Sequence, residues 1–249
     1  MPDFSMYRFY SEFAGADTVI YNKLDGMDID FEQVEAMVKI EGVKLVMFSN
    51  PCNPTGVLES RKKVLDFIGK TEALVVVDEA YMEFARDGGA SVIDQVESFD
   101  NLIVLKTVSK IGLAGLRCGF AISNKTLISA LKKTKSPYNM NTVTQAVVSA
   151  ALRNFGGIAN NIELIRRETA GLYTALSADA EQGGYTVRPS DTNFVWVRFN
   201  DAQRGNAVAT YLRENGISVR NMRGNLRITA GSSEECTELV SVFSKAINS

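Results

Sequence analysis

VKLVMFSNPCNPTG, residues 43–56, is an apolar, partly β-branched run that stops on a cluster of turn formers. Val43–Phe48 reads as a strand, and the asparagines, prolines and glycine after it read as the loop leaving its carboxyl end. Three more runs follow: ALVVV at 73–77, LIVL at 102–105 and GFAI at 119–122, each bounded by polar or turn residues. Runs this continuous suit strands buried on both faces, as in a parallel sheet covered by helices. Between the first two, Val64, Leu65, Phe67 and Ile68 sit amid Arg61, Lys62, Lys63, Asp66 and Lys70, the pattern of a short amphipathic helix. Strand, helix, strand is the βαβ unit, so Val43–Ala121 predicts an α/β fold whose mostly parallel sheet is flanked by helices.

Downstream the period changes. Thr126–Lys133 and Val143–Leu152 carry apolar residues at helical spacing, and Ile158–Leu176 reads as a longer helix. After the turn signal Gly183-Gly184 come four expected strands, at Tyr185–Arg188, Phe194–Phe199, Ser218–Arg220 and Leu226–Thr229. Helices are expected at Ala202–Asn215 and Glu234–Ile247. The division that follows is a large α/β unit over 1–155 and a smaller α+β unit over 156–249.

Composition removes whole classes of chemistry. The 249 residues include no histidine, which excludes Ser-His-Asp and Cys-His catalysis and His-ligated zinc. The three cysteines, Cys52, Cys118 and Cys236, are isolated and odd in number, so neither a disulfide framework nor a metal knuckle is expected, and a reducing, cytoplasmic setting is the economical reading. A net charge of −2 gives no footprint for nucleic acid or an anionic membrane surface, and no segment approaches the length of a bilayer span. Reactivity is left to lysine, carboxylates, phenols, thiols or a cofactor.

In an open α/β sheet ligands bind beyond the carboxyl ends of the strands. Past the first expected strand lies Asn53; past the second lie Asp78 and Tyr81; past the third lie Thr107, Ser109, Lys110 and then Arg117. This set matches the needs of pyridoxal 5'-phosphate. That cofactor takes a lysine for an imine with its aldehyde, a carboxylate for its ring nitrogen, donors for its phenolic oxygen, and cationic or hydroxyl groups for its phosphate. Lys110 suits the Schiff base, Asp78 the ring nitrogen, Asn53 and Tyr81 the phenolic oxygen, and Thr107, Ser109 and Arg117 the phosphate.

Taken singly, each residue has a plainer reading. A lysine is usually solvated surface, Asp78-Glu79 could cap a helix, NPCNPTG could be a mere turn, and the cysteines could be buried small hydrophobes. A nucleotide hydrolase would need a G-x-x-x-x-G-K-[ST] loop, and the sequence has none. It is the order and joint placement of the motifs that favour the cofactor.

NPCNPTG at 50–56, DEAY at 78–81, TVSK at 107–110, GLAGLRCGF at 112–120, SPYNMN at 136–141, TNF at 192–194 and LRITAG at 226–231 resemble the fold-type-I pyridoxal-phosphate aminotransferases, most closely the histidinol-phosphate aminotransferase group. The resemblance implies that Lys110 is catalytic and that Asp78, Asn53, Tyr81, Thr107, Ser109 and Arg117 take the roles already assigned. It implies that Phe4, in Pro2-Asp3-Phe4-Ser5-Met6-Tyr7, stacks on the cofactor where a tyrosine is more usual. Arg227 resembles the arginine that clamps the substrate's carboxylate, Asn193 and Arg220 lie near the substrate, and Asn53–Pro54 is a candidate cis peptide. The implied reaction moves an amino group between an amino acid or amino-alcohol phosphate and a 2-oxo acid, with glutamate and 2-oxoglutarate as the partner pair, in a homodimer without a metal. Rival readings are an aromatic aminotransferase or a threonine-phosphate decarboxylase on the same scaffold, and a non-catalytic remnant. Such enzymes carry a segment ahead of the Phe4 element, with a Gly-rich turn holding the cofactor phosphate. Its counterpart is not found before Phe4, so the chain is expected to represent the C-terminal three-quarters of such an enzyme, with little activity alone and a tendency to associate.

Overall fold

The computed structural model describes residues 1–248. In chain order the helices are α1 (Met6–Phe13), α2 (Phe31–Glu41), α3 (Arg61–Lys70), α4 (Lys125–Thr134), α5 (Thr142–Arg153), α6 (Gly156–Ser177), α7 (Ala180–Gly183), α8 (Ala202–Glu214) and α9 (Ser233–Asn248). The strands are β1 (Leu45–Ser49), β2 (Leu74–Asp78), β3 (Leu102–Thr107), β4 (Gly119–Ser123), β5 (Tyr185–Val187), β6 (Phe194–Phe199), β7 (Arg220–Met222) and β8 (Asn225–Thr229). Several helix starts follow from one residue. Asp30, Asn124, Asn141 and Asp201 each accept a backbone N–H of the helix that follows them, satisfying a donor the helix cannot.

The first sheet has the order β1-β2-β3-β4. β1, β2 and β3 are parallel, in a register that sets Val77 beside Phe48 and Val104. α3 supplies the crossover, laying Val64, Phe67 and Ile68 on Val75, Val77, Leu102 and Val104. Each of these side chains is nearly solvent-free, and burying one is worth about 1.5–3 kcal/mol. β4 runs antiparallel to β3. The reason is in the connection: residues 108–118 form two single-turn 3-10 segments and no crossover helix, so the chain returns beside the strand it left. β4 is also less covered than its apolar run suggests, with Gly119, Phe120 and Ala121 exposed.

The second sheet, β5-β6-β8-β7, is antiparallel throughout. One face packs Val195, Val197, Phe199, Leu226 and Ile228 against Leu172 and Leu176 of α6, Val208 and Leu212 of α8, and Leu239 and Phe243 of α9. α6 serves both sheets. Ile162 in its first half joins Tyr81, Phe84 and Phe194, while Leu172 and Leu176 lie in the second core. The expected dividing point at 155/156 therefore falls at the first residue of a helix that spans both units.

Polar contacts tie the sheets together. Arg86 makes a forked pair with Asp191, Nε to Oδ1 at 3.0 Å and Nη2 to Oδ2 at 2.8 Å. Arg166 of α6 donates to the carbonyls of Phe84 and Ala85. The Asp191 amide donates to the Gly56 carbonyl at 2.9 Å. Gly56 has φ +74°, and a Cβ there would lie 2.3 Å from Ser190 Oγ, so both backbone and space require glycine.

Candidate active site

The carboxyl ends of β1, β2 and β3 open toward the face of the second sheet that carries Phe194, Trp196 and Arg227. β1 runs into Asn50–Gly56, where the Asn50–Pro51 and Asn53–Pro54 peptides are both cis. Ser49 Oγ accepts the Asn53 amide at 2.9 Å and fixes the loop's return. Asn53 is buried, and its Oδ1 accepts a hydrogen bond from Arg227 Nη1 at 2.7 Å across 174 residues of sequence. A guanidinium can only donate, so this bond turns the amide oxygen toward Arg227 and leaves the Nδ2 donors facing elsewhere. Arg227 packs 5.0 Å from the Phe194 ring centroid, and its Nε is buried with no partner.

β2 ends on Asp78, whose Oδ1 accepts the Ala80 amide at 3.0 Å. Its Oδ2 accepts the Tyr7 hydroxyl at 2.6 Å. Burial pushes the Asp78 pKa above the ordinary carboxylate value; the bonds from Tyr7 and Ala80 pull it back, the Asp3 charge adds to the rise, and Lys110 opposes it. The neighbouring Glu79 is fully buried and does something else. It accepts Ser91 Oγ and the Val92 amide and pairs with Lys106 at 3.1 Å, anchoring the loop after β2. Tyr81 is buried edge-on to Phe194 at 5.1 Å.

β3 ends on Thr107, and the chain then tightens into the turn Ser109–Ile111 that holds Lys110 half-buried. Lys110 Nζ lies 5.3 Å from the Tyr81 ring centroid. The Thr107 hydroxyl donates to the Cys118 carbonyl at 3.1 Å and accepts the Ser109 amide, so it shapes this turn. Arg117 is exposed in the left-handed region at φ +51°, its Nη1 donating to the Ala114 carbonyl at 3.3 Å. The structure thus gathers Asn53, Asp78, Tyr81, Lys110 and Arg227. Arg220 stands opposite Arg227 in the β7–β8 ladder and is exposed. Asn193 leads into β6, with its carbonyl accepting the Ala230 amide. Phe4, 40% exposed, meets Tyr7 edge-on at 5.4 Å, which places it beside Asp78's partner.

Sequence reasoning missed the network behind these groups. Tyr7, Asp3, Ser49 and Lys23 underlie the strand ends: Asp3 accepts Ser49 Oγ at 2.5 Å and pairs with Lys23 at 3.3 Å, and Lys23 donates to Cys52 Sγ at 3.0 Å. No local pattern announces contacts that join the first residues of the chain to two strand ends. Among the described residues no group of His, Cys, Asp or Glu could hold a metal ion, and no helix is long and apolar enough to cross a membrane.

The donor set fits pyridoxal 5'-phosphate. A half-buried carboxylate, a buried amide whose donors are turned away from its arginine, a buried phenol and a half-buried lysine supply the ring's needs.

The model for aminotransferase class I and II matches residues 1–243. A histidinol-phosphate aminotransferase of Clostridium kluyveri is 37% identical over 252 residues, covering 99% of this chain and 69% of that protein. The chain thus spans about two thirds of this relative's length. The crystal structure of histidinol-phosphate aminotransferase from Sinorhizobium meliloti in complex with pyridoxal-5'-phosphate superimposes with a TM-score of 0.88 at 26% identity, over all of this chain and 69% of that one. An L-threonine-O-3-phosphate decarboxylase of Porphyromonas gingivalis shares the fold, with a TM-score of 0.84 at 20% identity, covering all of this chain and 76% of that one.

Proposed function

This chain belongs to the class I and II aminotransferase family, whose cofactor pyridoxal 5'-phosphate its cleft fits, and from that premise we propose that it serves amino transfer of the histidinol-phosphate type. The observation that carries the reading is the Arg227–Asn53 bond, which brings an anion-binding arginine of the second sheet to the strand ends of the first. The cofactor, when bound, supplies an electron sink that acidifies the substrate's α-C–H. Lys110 Nζ is the base that would take that proton and, once protonated, the acid that could give it back, the role open to a lysine where no histidine exists. Asp78 holds a proton on the ring nitrogen, and Asn53 Nδ2 and Tyr81 Oη donate to the phenolic oxygen. Ser109, Thr107 and Arg117 would hold the phosphate, and Phe4 would stack on the ring. Arg227 binds the substrate's anionic group by two parallel N–H donors, with Asn193 and Arg220 beside it.

The same proposal assigns 1–155 to cofactor binding and 156–249 to a second unit that delivers Arg227. It takes an amino acid or amino-alcohol phosphate and a 2-oxo acid as substrates, a homodimer as the assembly and the cytoplasm as the compartment. The identity to histidinol-phosphate aminotransferases supports this substrate above an aromatic amino acid or threonine phosphate. The test is reduction with borohydride after adding pyridoxal phosphate, followed by peptide mass analysis. A reduced label on Lys110 is expected, and no label at saturating cofactor overturns the reading. Turnover of histidinol phosphate against phenylalanine and threonine phosphate then separates the substrates.

A further inference from the structure

We propose that Tyr7 is a positioning residue for the cofactor, acting through Asp78: its hydroxyl holds the carboxylate in place and ionised to receive a protonated ring nitrogen. The inference rests on the proposed cofactor site and assigns within it a residue that the seven motifs do not contain. Tyr7 and Asp78 are separated by 71 residues and meet at 2.6 Å, the short distance of a hydroxyl donating to a charged acceptor. The Ala80 amide takes the other oxygen, so Asp78 is oriented by one donor on each side. Each oxygen has a further lone pair for a ring N–H.

Electrostatics says why such a donor is needed. The groups facing Asp78 are Tyr7 from α1, Asp3 from the segment before it, Lys110 from the turn after β3 and the Ala80 amide of its own loop. Burial and the Asp3 charge both favour the neutral acid, which could not hold a second proton between itself and the ring nitrogen. Tyr7 and Ala80 favour the carboxylate. Burial, and after it the Asp78 charge, push the Tyr7 phenol far above its ordinary value, so it stays a donor over the working pH range. Phe4 packs on the Tyr7 ring, and Asp3 is tied to Ser49 and Lys23, which fixes the segment delivering the hydroxyl.

The test uses the whole chain and begins without cofactor. Carboxyl-carbon NMR of wild type and Tyr7→Phe is expected to show the Asp78 titration midpoint moving up in the variant. Pyridoxal-phosphate affinity, measured by absorbance, is expected to fall about tenfold in Tyr7→Phe, as for a hydrogen bond to a charged group, and to be insensitive to the same change in an Asp78→Asn background. An unmoved Asp78 midpoint in folded Tyr7→Phe, or an equal loss of affinity in both backgrounds, overturns the proposal. If Tyr7→Phe does not fold, alkaline titration of the Tyr7 phenol decides: it is expected to drop in Asp78→Asn, and an unchanged phenol overturns the pairing. Failure of wild type to take up the cofactor would sink the proposed function, while the cofactor-free titrations would still decide the role of Tyr7.

Discussion

The two sheets bear chemistry in opposite ways. In the parallel sheet the strands are structural over their length, and Asp78 and Lys110 arrive only where β2 and β3 stop. In the antiparallel sheet the residue proposed to bind substrate sits inside a strand: Arg227 lies between Leu226 and Ile228, both fully buried on the opposite face. A strand covered on both faces has no side left for a polar group. A strand covered by its own core on one face can offer the other to a cleft. The candidate site is the meeting of strand ends with a strand face.

This difference predicts which substitutions damage chemistry and which damage folding. Lys110→Ala should give the largest effect, a loss of turnover of about 10²–10⁴-fold or more in the active assembly, with an unchanged unfolding midpoint. A comparable shift in the midpoint would mean that Lys110 also holds the first sheet together. Leu226→Ala, one position from Arg227 on the opposite face, should destabilise by about 2–5 kcal/mol in urea unfolding through the cavity it leaves. Arg227→Lys keeps the charge and loses the fork. Substrate KM should rise about tenfold or more while stability stays within about 1 kcal/mol, and a stability loss larger than the binding loss would contradict the assignment of its face to the cleft. Arg86→Ala leaves the buried Asp191 carboxylate with only the residue-86 amide as donor, so the cost should be about 1–3 kcal/mol, checked by the same unfolding curve.

The smallest expected effect is a pH dependence. Glu59 is buried; burial raises its pKa, and the Ile29 amide at 2.7 Å pulls it back. A carboxyl raised in the folded state binds its proton more tightly there than in the unfolded chain. Its contribution therefore favours folding at low pH and is lost as pH climbs from the unfolded value through the raised one. Glu59→Gln should gain stability relative to wild type between about pH 5 and about pH 8, and an equal difference at both ends would remove Glu59 as the cause.

How legible each region was in the sequence follows from the same contrast. The parallel strands announce themselves as continuous runs, and β2 and β3 were readable to within two residues because β-branched and aliphatic side chains crowd both of their faces. The alternation Leu226-Arg227-Ile228 marked the half-exposed strand equally well. FVWVRF at 194–199 shows why patterns alone fall short: Phe194 and Trp196 are buried like Val195 and Val197, and Phe194 on the cleft face packs on Tyr81 and Phe84 of the first unit. α1 carries Met6, Phe9, Tyr10 and Phe13 at helical spacing, yet this stripe meets no core: none of the helix's residues is buried, and Phe9, Tyr10 and Phe13 are exposed. The Tyr7–Asp78 and Asn53–Arg227 contacts are products of tertiary structure and leave no local trace. The residues proposed to face the cofactor can be named from sequence because its chemistry restricts residue types, whereas residues that support them need only a donor at the right place.

The amide of Asn53 gives the cleft a direction. An amide has one accepting end and one donating end, and the guanidinium has claimed the accepting end. Hydrogen-bond polarity therefore runs one way, from the second sheet's arginine into Asn53, whose nitrogen is left as the donating end. Aspartate at this position would be nearly isosteric and would bind the arginine more tightly, yet it would terminate the sequence of dipoles, since it could pass no proton donor onward. A leucine of similar size would release the arginine altogether. The two substitutions separate the functions that one neutral side chain now joins, and neither charge nor volume alone could have selected asparagine there.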